Sequence, residues 1–196
     1  MLNKLQAYTV LGALCIALAG TAGTTAHAAG APPEIQVPAW FKISFLDLPE
    51  DIKEAVAAKK RVMIYFGQNG CPYCKQLMKV NFTQSDIVAK LQRNFDLIEI
   101  NILGSREVGW VDGVTRTEKD FAGFLKIRYT PTLLVIDERG GILLRISGYY
   151  PPAPFNATLD YVVDGVFHRE PDLQRYLKNR DVPLPERGSR SDAIAR

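Results

Sequence analysis

Cysteine and histidine are scarce in this sequence. Among 196 residues there are three cysteines and two histidines, and removal of the signal peptide predicted at residues 1–28 would take away one of each. A structural zinc site usually needs four cysteine or histidine ligands, and only Cys71, Cys74 and His168 would remain. The sequence therefore predicts no metal site within one chain, and it gives no reason to expect a cofactor.

The chain also lacks an apolar stretch long enough to span a bilayer comfortably. Lys4 precedes an uncharged apolar stretch over residues 10–19, and small residues follow as far as Ala26-His27-Ala28. This order is typical of a secretory signal peptide with an A-x-A cleavage site rather than of a retained membrane anchor. We expect cleavage after Ala28, export to the periplasm and loss of Cys15 with the signal peptide.

A large excess of charge of one sign is absent as well. Lys and Arg number 24 against 21 Asp and Glu, and the basic excess lies in the tail from Arg175 to Arg196. Nucleic-acid binding needs basic residues clustered on a structured face, so no nucleic-acid partner is expected. We predict an extended leader at 29–47, one domain at 48–168, and at 169–196 a short helix with a basic, disordered tail. We expect a monomer.

Apolar periodicity and turn residues predict an α/β domain. Helices are predicted at 48–60, 71–80, 85–94, 117–126, 156–166 and 172–178, and strands at 61–66, 95–102, 132–137 and 142–147. Ser85 is expected to cap the third helix. Either Thr115 with Glu118, as a capping box, or Thr117 alone is expected to cap the fourth. Residues 104–117 form a turn-rich excursion between these elements.

Cys71 and Cys74 stand where the first predicted strand gives way to a helix. A structural disulfide that closes so short a loop would stabilise the fold little, because it removes little entropy from the unfolded chain. A redox function is therefore the better interpretation of this C-x-x-C pair. Unpaired N–H groups at a helix N-terminus lower the pKa of a thiol, which suits Cys71 to be the nucleophile. Cys74, one turn further on, would attack the mixed disulfide.

Three motifs carry a resemblance to a known family. They are Gly70-Cys71-Pro72-Tyr73-Cys74-Lys75, the strand end Glu99-Ile100-Asn101-Ile102, and Arg128-Tyr129-Thr130-Pro131-Thr132-Leu133. With them, the chain from about Leu48 to Phe167 resembles the thioredoxin superfamily. More narrowly, it resembles the exported SoxW thioredoxins of bacterial sulfur-oxidation clusters. That likeness rests on Cys-Pro-Tyr-Cys, on an insertion from Arg106 to Glu118, and on Gly148-Tyr149 followed by prolines.

The resemblance implies a thioredoxin fold, in which helices flank a central mixed sheet and a short insertion precedes the helix before the Thr-Pro strand. It implies a cis Pro131 facing Cys71, with Thr130, Pro131, Pro72 and Tyr73 binding the substrate. The implied activity is reduction of disulfides in partner proteins by dithiol exchange. A membrane thiol-reducing system would be the electron donor, since cytosolic reductants do not reach an exported protein.

Three positions depart from the thioredoxin pattern. Tyr65 stands where many thioredoxins have a buried aspartate, Gly70 where they have tryptophan, and Glu99 where a lysine is common. Glu99 is therefore either a substitute proton acceptor for Cys74 or a solvated charge at a strand end. Both interpretations stay open, because carboxylates with a perturbed pKa are frequent at active sites but also occur elsewhere.

Three other functions stay open. A periplasmic dithiol oxidant would carry a large helical insertion, for which residues 104–117 are too few. A glutaredoxin-like enzyme shares the Pro-Tyr dipeptide but fits the export signal and the added tail less well. A non-catalytic peptide-binding module would not need an intact cysteine pair.

Overall fold

The computed structural model describes residues 36–180. The predicted signal peptide, the leader up to residue 35 and the tail from residue 181 lie outside the described residues. The helices are α1 (Leu48–Ala57), α2 (Pro72–Gln76), α3 (Ser85–Asn94), α4 (Glu118–Phe124), α5 (Pro152–Val163) and α6 (Leu173–Asn179). The strands are β1 (Arg61–Gly67), β2 (Phe95–Asn101), β3 (Glu107–Gly109), β4 (Thr115–Thr117), β5 (Thr132–Ile136) and β6 (Ile142–Ser147). None of the helices within 36–180 is long and apolar enough to cross a membrane.

Four strands form a central mixed sheet in the order β2-β1-β5-β6. Strand β1 runs parallel to β2 and antiparallel to β5, which is antiparallel to β6. Residues 62–67 of β1 are all buried, because alternate side chains enter separate apolar clusters on the two faces of the sheet. The expected α/β architecture is confirmed, and the nearly continuous apolar sequence of β1 follows from burial on both faces.

The strand register brings two distant segments to one end of the sheet. Phe66 at the end of β1 lies opposite Thr132 at the start of β5. Cys71 follows the first of these strands and Thr130 precedes the second, so both residues lie at this end. The antiparallel pairing thus places the cysteine pair next to the Thr-Pro segment.

Several helix ends differ from the sequence predictions. Helix α1 ends at Ala57 rather than residue 60, and Lys59 after it takes a left-handed conformation with φ of 56°. The cap of α3 is Gln84, without a side-chain hydrogen bond, so the prediction that Ser85 caps it was wrong. Helix α5 begins at Pro152, because proline is well tolerated in a first helical turn, where the missing N–H has no helical partner to lose.

The helix that carries the cysteines changes type part-way. After α2 the backbone continues as a π-helical turn over Leu77–Asn81, which the apolar pattern did not predict. Short π-helical segments occur often at functional sites. The buried side chain of Asn81 at its end donates a hydrogen bond of 3.0 Å to the carbonyl of Tyr150. This bond ties the cysteine helix to the segment that follows β6.

The excursion between β2 and α4 folds as the hairpin of β3 and β4. Thr117 caps α4 by accepting a hydrogen bond from the backbone N–H of Asp120 at 3.1 Å, which confirms the simpler of the two capping predictions. The alternative prediction, a capping box formed by Thr115 and Glu118, was wrong. The buried carboxylate of Glu118 instead accepts hydrogen bonds from the backbone N–H groups of Asn101 (2.9 Å) and Arg106 (3.2 Å).

The described end of the predicted leader packs on the domain. Phe41 is buried in the apolar cluster that also contains Cys71 and Cys74. The backbone N–H of Lys42 donates to the carbonyl of Leu97 in β2 at 2.7 Å, and Gly109 donates to the carbonyl of Leu46 at 2.8 Å. The domain boundary placed at residue 48 stays a prediction.

Candidate functional site

The cysteine pair lies in the turn between β1 and α2. Gly70, directly before it, has φ of 76°, a conformation that residues with a Cβ adopt at a cost. This gives a physical reason for glycine at a position where thioredoxins have tryptophan. Cys71 is the N-cap of α2 and Pro72 is its first residue, so the proline lacks only an N–H that the helix would leave unpaired.

Cys71 and Cys74 are joined by a disulfide. The backbone N–H of Cys74 donates to the sulfur of Cys71 at 3.1 Å. Cys74 is fully buried, whereas Cys71 keeps 6% of its surface exposed. Cys71 is therefore the more accessible of the two cysteines, and the N–H of Cys74 lies where it would stabilise negative charge on the Cys71 sulfur.

The Thr-Pro segment borders Cys71 directly. The peptide bond between Thr130 and Pro131 is cis, as the resemblance implied. The hydroxyl of Thr130 donates to the sulfur of Cys71 at 3.3 Å, and the carbonyl oxygen of Thr130 lies 3.5 Å from the same sulfur. The carbonyl of Pro131 accepts a hydrogen bond from the N–H of Gly148 at 2.8 Å, which fixes the segment against the end of β6. The substrate-binding roles of Thr130 and Pro131 stay predictions.

An aromatic pair adjoins the cysteines. Tyr73 is 60% exposed, and its ring stacks on that of Tyr149 with centroids 6.5 Å apart and an interplanar angle of 18°. The sequence analysis named Pro72 and Tyr73 for substrate binding but missed Tyr149. The hairpin register was the available signal, since Ser147 lies opposite Thr132 and Tyr149 must then follow at the same end of the sheet.

Glu99 lies beside Tyr65 in the parallel register of β1 and β2. Its carboxylate accepts a hydrogen bond of 2.9 Å from the guanidinium of Arg106. The same nitrogen of Arg106 donates to the buried carboxylate of Glu118 at 2.6 Å. Sequence reasoning missed Arg106 as the residue that holds these two acids together. The proposed role of Glu99 as proton acceptor for Cys74 stays a prediction.

The side chain of Tyr65 belongs to the same apolar cluster as both cysteines. A Cβ at Gly67 would overlap the Tyr65 hydroxyl, so the glycine leaves the space that the tyrosine ring needs. The hydroxyl is buried and has no hydrogen-bond partner among the described residues. Burial, and secondarily the charge of Glu99, raise the pKa of Tyr65 well above its usual value. Tyr65 therefore remains protonated at neutral pH and differs chemically from the aspartate it replaces.

The sequence matches the thioredoxin-like domain family over residues 48–163. The chain belongs to this family. Among solved structures, it is similar to a thioredoxin-fold protein from Helicobacter pylori, with 25% identity over 63% of this chain and 85% of that chain and a TM-score of 0.55. It is also similar to a thioredoxin from Thermus thermophilus, with 23% identity over 63% of this chain and 93% of that chain and a TM-score of 0.49. A comparison with curated protein sequences gives no significant match.

The thioredoxin-like fold and the adjacent cysteines together support thiol–disulfide oxidoreductase chemistry. Cys71 keeps 6% of its surface exposed and Cys74 keeps none, and the two sulfurs are close enough to be bonded. Such a pair can hold two electrons as a dithiol and release them by forming its own disulfide.

Proposed function

We propose that this thioredoxin-like chain is an exported reductase of protein disulfides, similar in role to the SoxW thioredoxins. The observation that carries the proposal is the position of Cys71, which keeps 6% of its surface exposed while Cys74 keeps none, and whose sulfur lies within 3.5 Å of Thr130. A substrate segment lying along Thr130 would bring its own sulfur to Cys71. The signal-peptide pattern at residues 1–28 supports the assignment to the periplasm.

The reaction begins with the dithiol. The Cys71 thiolate attacks one sulfur of the substrate disulfide, the substrate S–S bond breaks, and the other substrate sulfur leaves as a thiolate that takes up a proton. The Cys74 thiolate then attacks the Cys71 sulfur and displaces the remaining substrate sulfur. Two electrons pass to the substrate, and the chain is left with the Cys71–Cys74 disulfide. A dithiol donor of the membrane then returns two electrons.

The direction of electron flow separates this proposal from its main alternative, a disulfide-forming oxidant. Residues between β2 and α4 fold as a short hairpin, whereas the oxidants carry a large helical insertion there. The hairpin favours the reductase. The hairpin gives no information on the electron donor. A membrane donor is inferred from the predicted export alone.

The reduction potential tests the direction. We expect a value near that of thioredoxin, about −270 mV, rather than near that of the oxidant DsbA, about −120 mV. The oxidised fraction is measured by thiol trapping after equilibration in glutathione buffers of graded ratio. A potential close to the oxidant value would contradict the reductase proposal but leave the oxidoreductase chemistry intact.

Glu99→Gln tests the proton acceptor. The substitution keeps the shape of the side chain and removes its charge, so we expect resolution of the mixed disulfide by Cys74 to slow by about 10²-fold, the lower end of the range for general acid–base catalysis. Formation of the mixed disulfide by Cys71 should change much less. Rapid-quench measurement of both steps between about pH 6 and 9 separates the two rates.

Tyr65→Phe is the matched comparison for this experiment, because it removes only the buried hydroxyl beside Glu99. Slow resolution in Glu99→Gln alone assigns proton transfer to the carboxylate. Slow resolution in both variants assigns it to a relay through the tyrosine. Wild-type rates in Glu99→Gln at every pH would show that Glu99 is not the proton acceptor for Cys74.

A further inference from the structure

The segments around Cys71 carry charge of only one sign. Residues 67–80, 125–134 and 146–154 contain no aspartate and no glutamate. Their charged residues are Lys75, Lys79, Lys126 and Arg128, and all four are exposed. Acidic residues are numerous elsewhere in the chain, so these three segments carry a net positive charge.

Three of these cations belong to the two segments that supply Cys71 and Thr130. Lys75 and Lys79 lie on successive turns of the helical segment that begins at the cysteines. Arg128 lies two residues before Thr130, whose hydroxyl and carbonyl oxygen lie against the Cys71 sulfur. Lys126 follows Leu125, which lines a cavity with Asp137 at the other end of the sheet. We refer to Lys75, Lys79 and Arg128 as the cationic rim.

The cationic rim is not neutralised by the described part of the molecule. None of the ion pairs formed within residues 36–180 involves these three side chains. Glu99, an acid at the end of the adjacent strand, is paired with Arg106 at 2.9 Å. The rim charges are therefore available to a partner.

Aromatic surface lies within the same region. The stacked rings of Tyr73 and Tyr149 adjoin the cysteine turn. Tyr129 is 60% exposed directly before Thr130. Tyrosine offers a large contact area at a low cost in side-chain entropy, which makes it frequent at binding surfaces.

We infer that the partner is a protein segment with acidic residues flanking its disulfide. This inference rests on the proposed reductase function and specifies its substrate class. Opposite charge raises the rate of encounter, and the tyrosines provide contact once the segment lies along Thr130. Because the cations are exposed, their effect is on association and is screened by salt.

Three disulfide-bridged peptides test the inference. All three have the same disulfide-closed loop and the same phenylalanine flanking it. They differ only in the residue beside that phenylalanine, which is glutamate, glutamine or lysine. The full chain, first reduced to the dithiol, is mixed with each peptide, and the second-order rate constant of peptide reduction is measured by rapid acid quench. At low ionic strength we expect the glutamate peptide to react about tenfold faster than the lysine peptide. The ratio should approach unity at about 0.5 M salt.

Charge reversal in the rim provides the decisive comparison. In the variant Lys75→Glu with Arg128→Glu, the preference should reverse in favour of the lysine peptide. The rate with neutral dithiodipyridine corrects for any change in the reactivity of Cys71 itself. Arg93→Glu is the matched control, since this exposed residue near the end of α3 lies next to the start of β2, at the opposite end of the sheet. It should leave the peptide ratio unchanged.

The outcomes separate the inference from the proposed function. Reduction of all three peptides at equal rates at low salt overturns the acidic-partner inference and leaves the reductase standing. The inference is likewise overturned, and the reductase left standing, if the double variant changes all three rates by one factor after correction. Failure to reduce any of the peptides counts against the reductase proposal and removes the basis of the inference with it.

Discussion

Replacing Cys71 with serine is expected to lower the rate of disulfide reduction by more than about 10³-fold, as loss of a catalytic nucleophile does in other enzymes. The serine hydroxyl is far less acidic than a thiol, and buried Cys74 has no exposed surface with which to attack a substrate. Reduction of insulin by dithiothreitol, followed as turbidity, measures the loss.

Cys74→Ser should have a different consequence. Cys71 still attacks, but nothing displaces the substrate, so a mixed disulfide between Cys71 and the partner accumulates and is detected by mass spectrometry of the alkylated protein. Cys15→Ser is the matched control, because the third cysteine belongs to the predicted signal peptide, and its activity should equal that of the wild type. Full turnover by Cys74→Ser would be incompatible with the two-cysteine mechanism.

Glu118→Ala is expected to lower the free energy of unfolding by about 3 kcal/mol. The buried Glu118 carboxylate accepts hydrogen bonds from two backbone N–H groups and from the guanidinium of Arg106. Alanine leaves both N–H groups without this acceptor and removes the side-chain link between the end of β2 and the segment that enters the hairpin of β3 and β4. Urea denaturation of the oxidised protein gives the change.

Glu107→Ala is the control for this prediction. Glu107 is an exposed acid of the same hairpin, and its loss should change the free energy of unfolding by less than about 0.5 kcal/mol. Equal urea midpoints for Glu118→Ala and wild type would show that the buried carboxylate does not hold the hairpin. The half-exposed Arg106 contributes less than the backbone donors, because solvent screens its charge.

Much of the fold could be predicted because its strands are short, apolar and bounded by turn residues. The continuous apolar sequence of β1 and the Gly-Gly turn between β5 and β6 identify strands from local sequence alone. Cys71, Cys74 and the Thr130-Pro131 bond could be named because they form short motifs. Their proximity follows from the antiparallel register of β1 and β5.

The remaining features depend on contacts that sequence patterns do not encode. Glu118 resembles a capping residue in sequence, yet its carboxylate turns to the backbone of Asn101 and Arg106. The partner of Glu99 lies in the insertion, whose hairpin strands are each three residues long and carry no clear alternation. The π-helical turn after α2 has the same apolar spacing as an α-helix over so few residues, so periodicity could not distinguish them.

The hydrogen bond from Asn81 to Tyr150 has a consequence for glycosylation. Asn81-Phe82-Thr83 has the N-x-S/T sequence of an N-glycan acceptor. In the folded chain, however, Asn81 is fully buried with its amide donating to a carbonyl. The hydroxyl of Thr83 donates to the carbonyl of Lys79 at 2.9 Å. An oligosaccharide cannot be attached there after folding, and attachment before folding would prevent the cysteine helix from packing. Production through a eukaryotic secretory pathway would therefore divide the chain into an unglycosylated form that folds as described and a glycosylated form that cannot adopt this site.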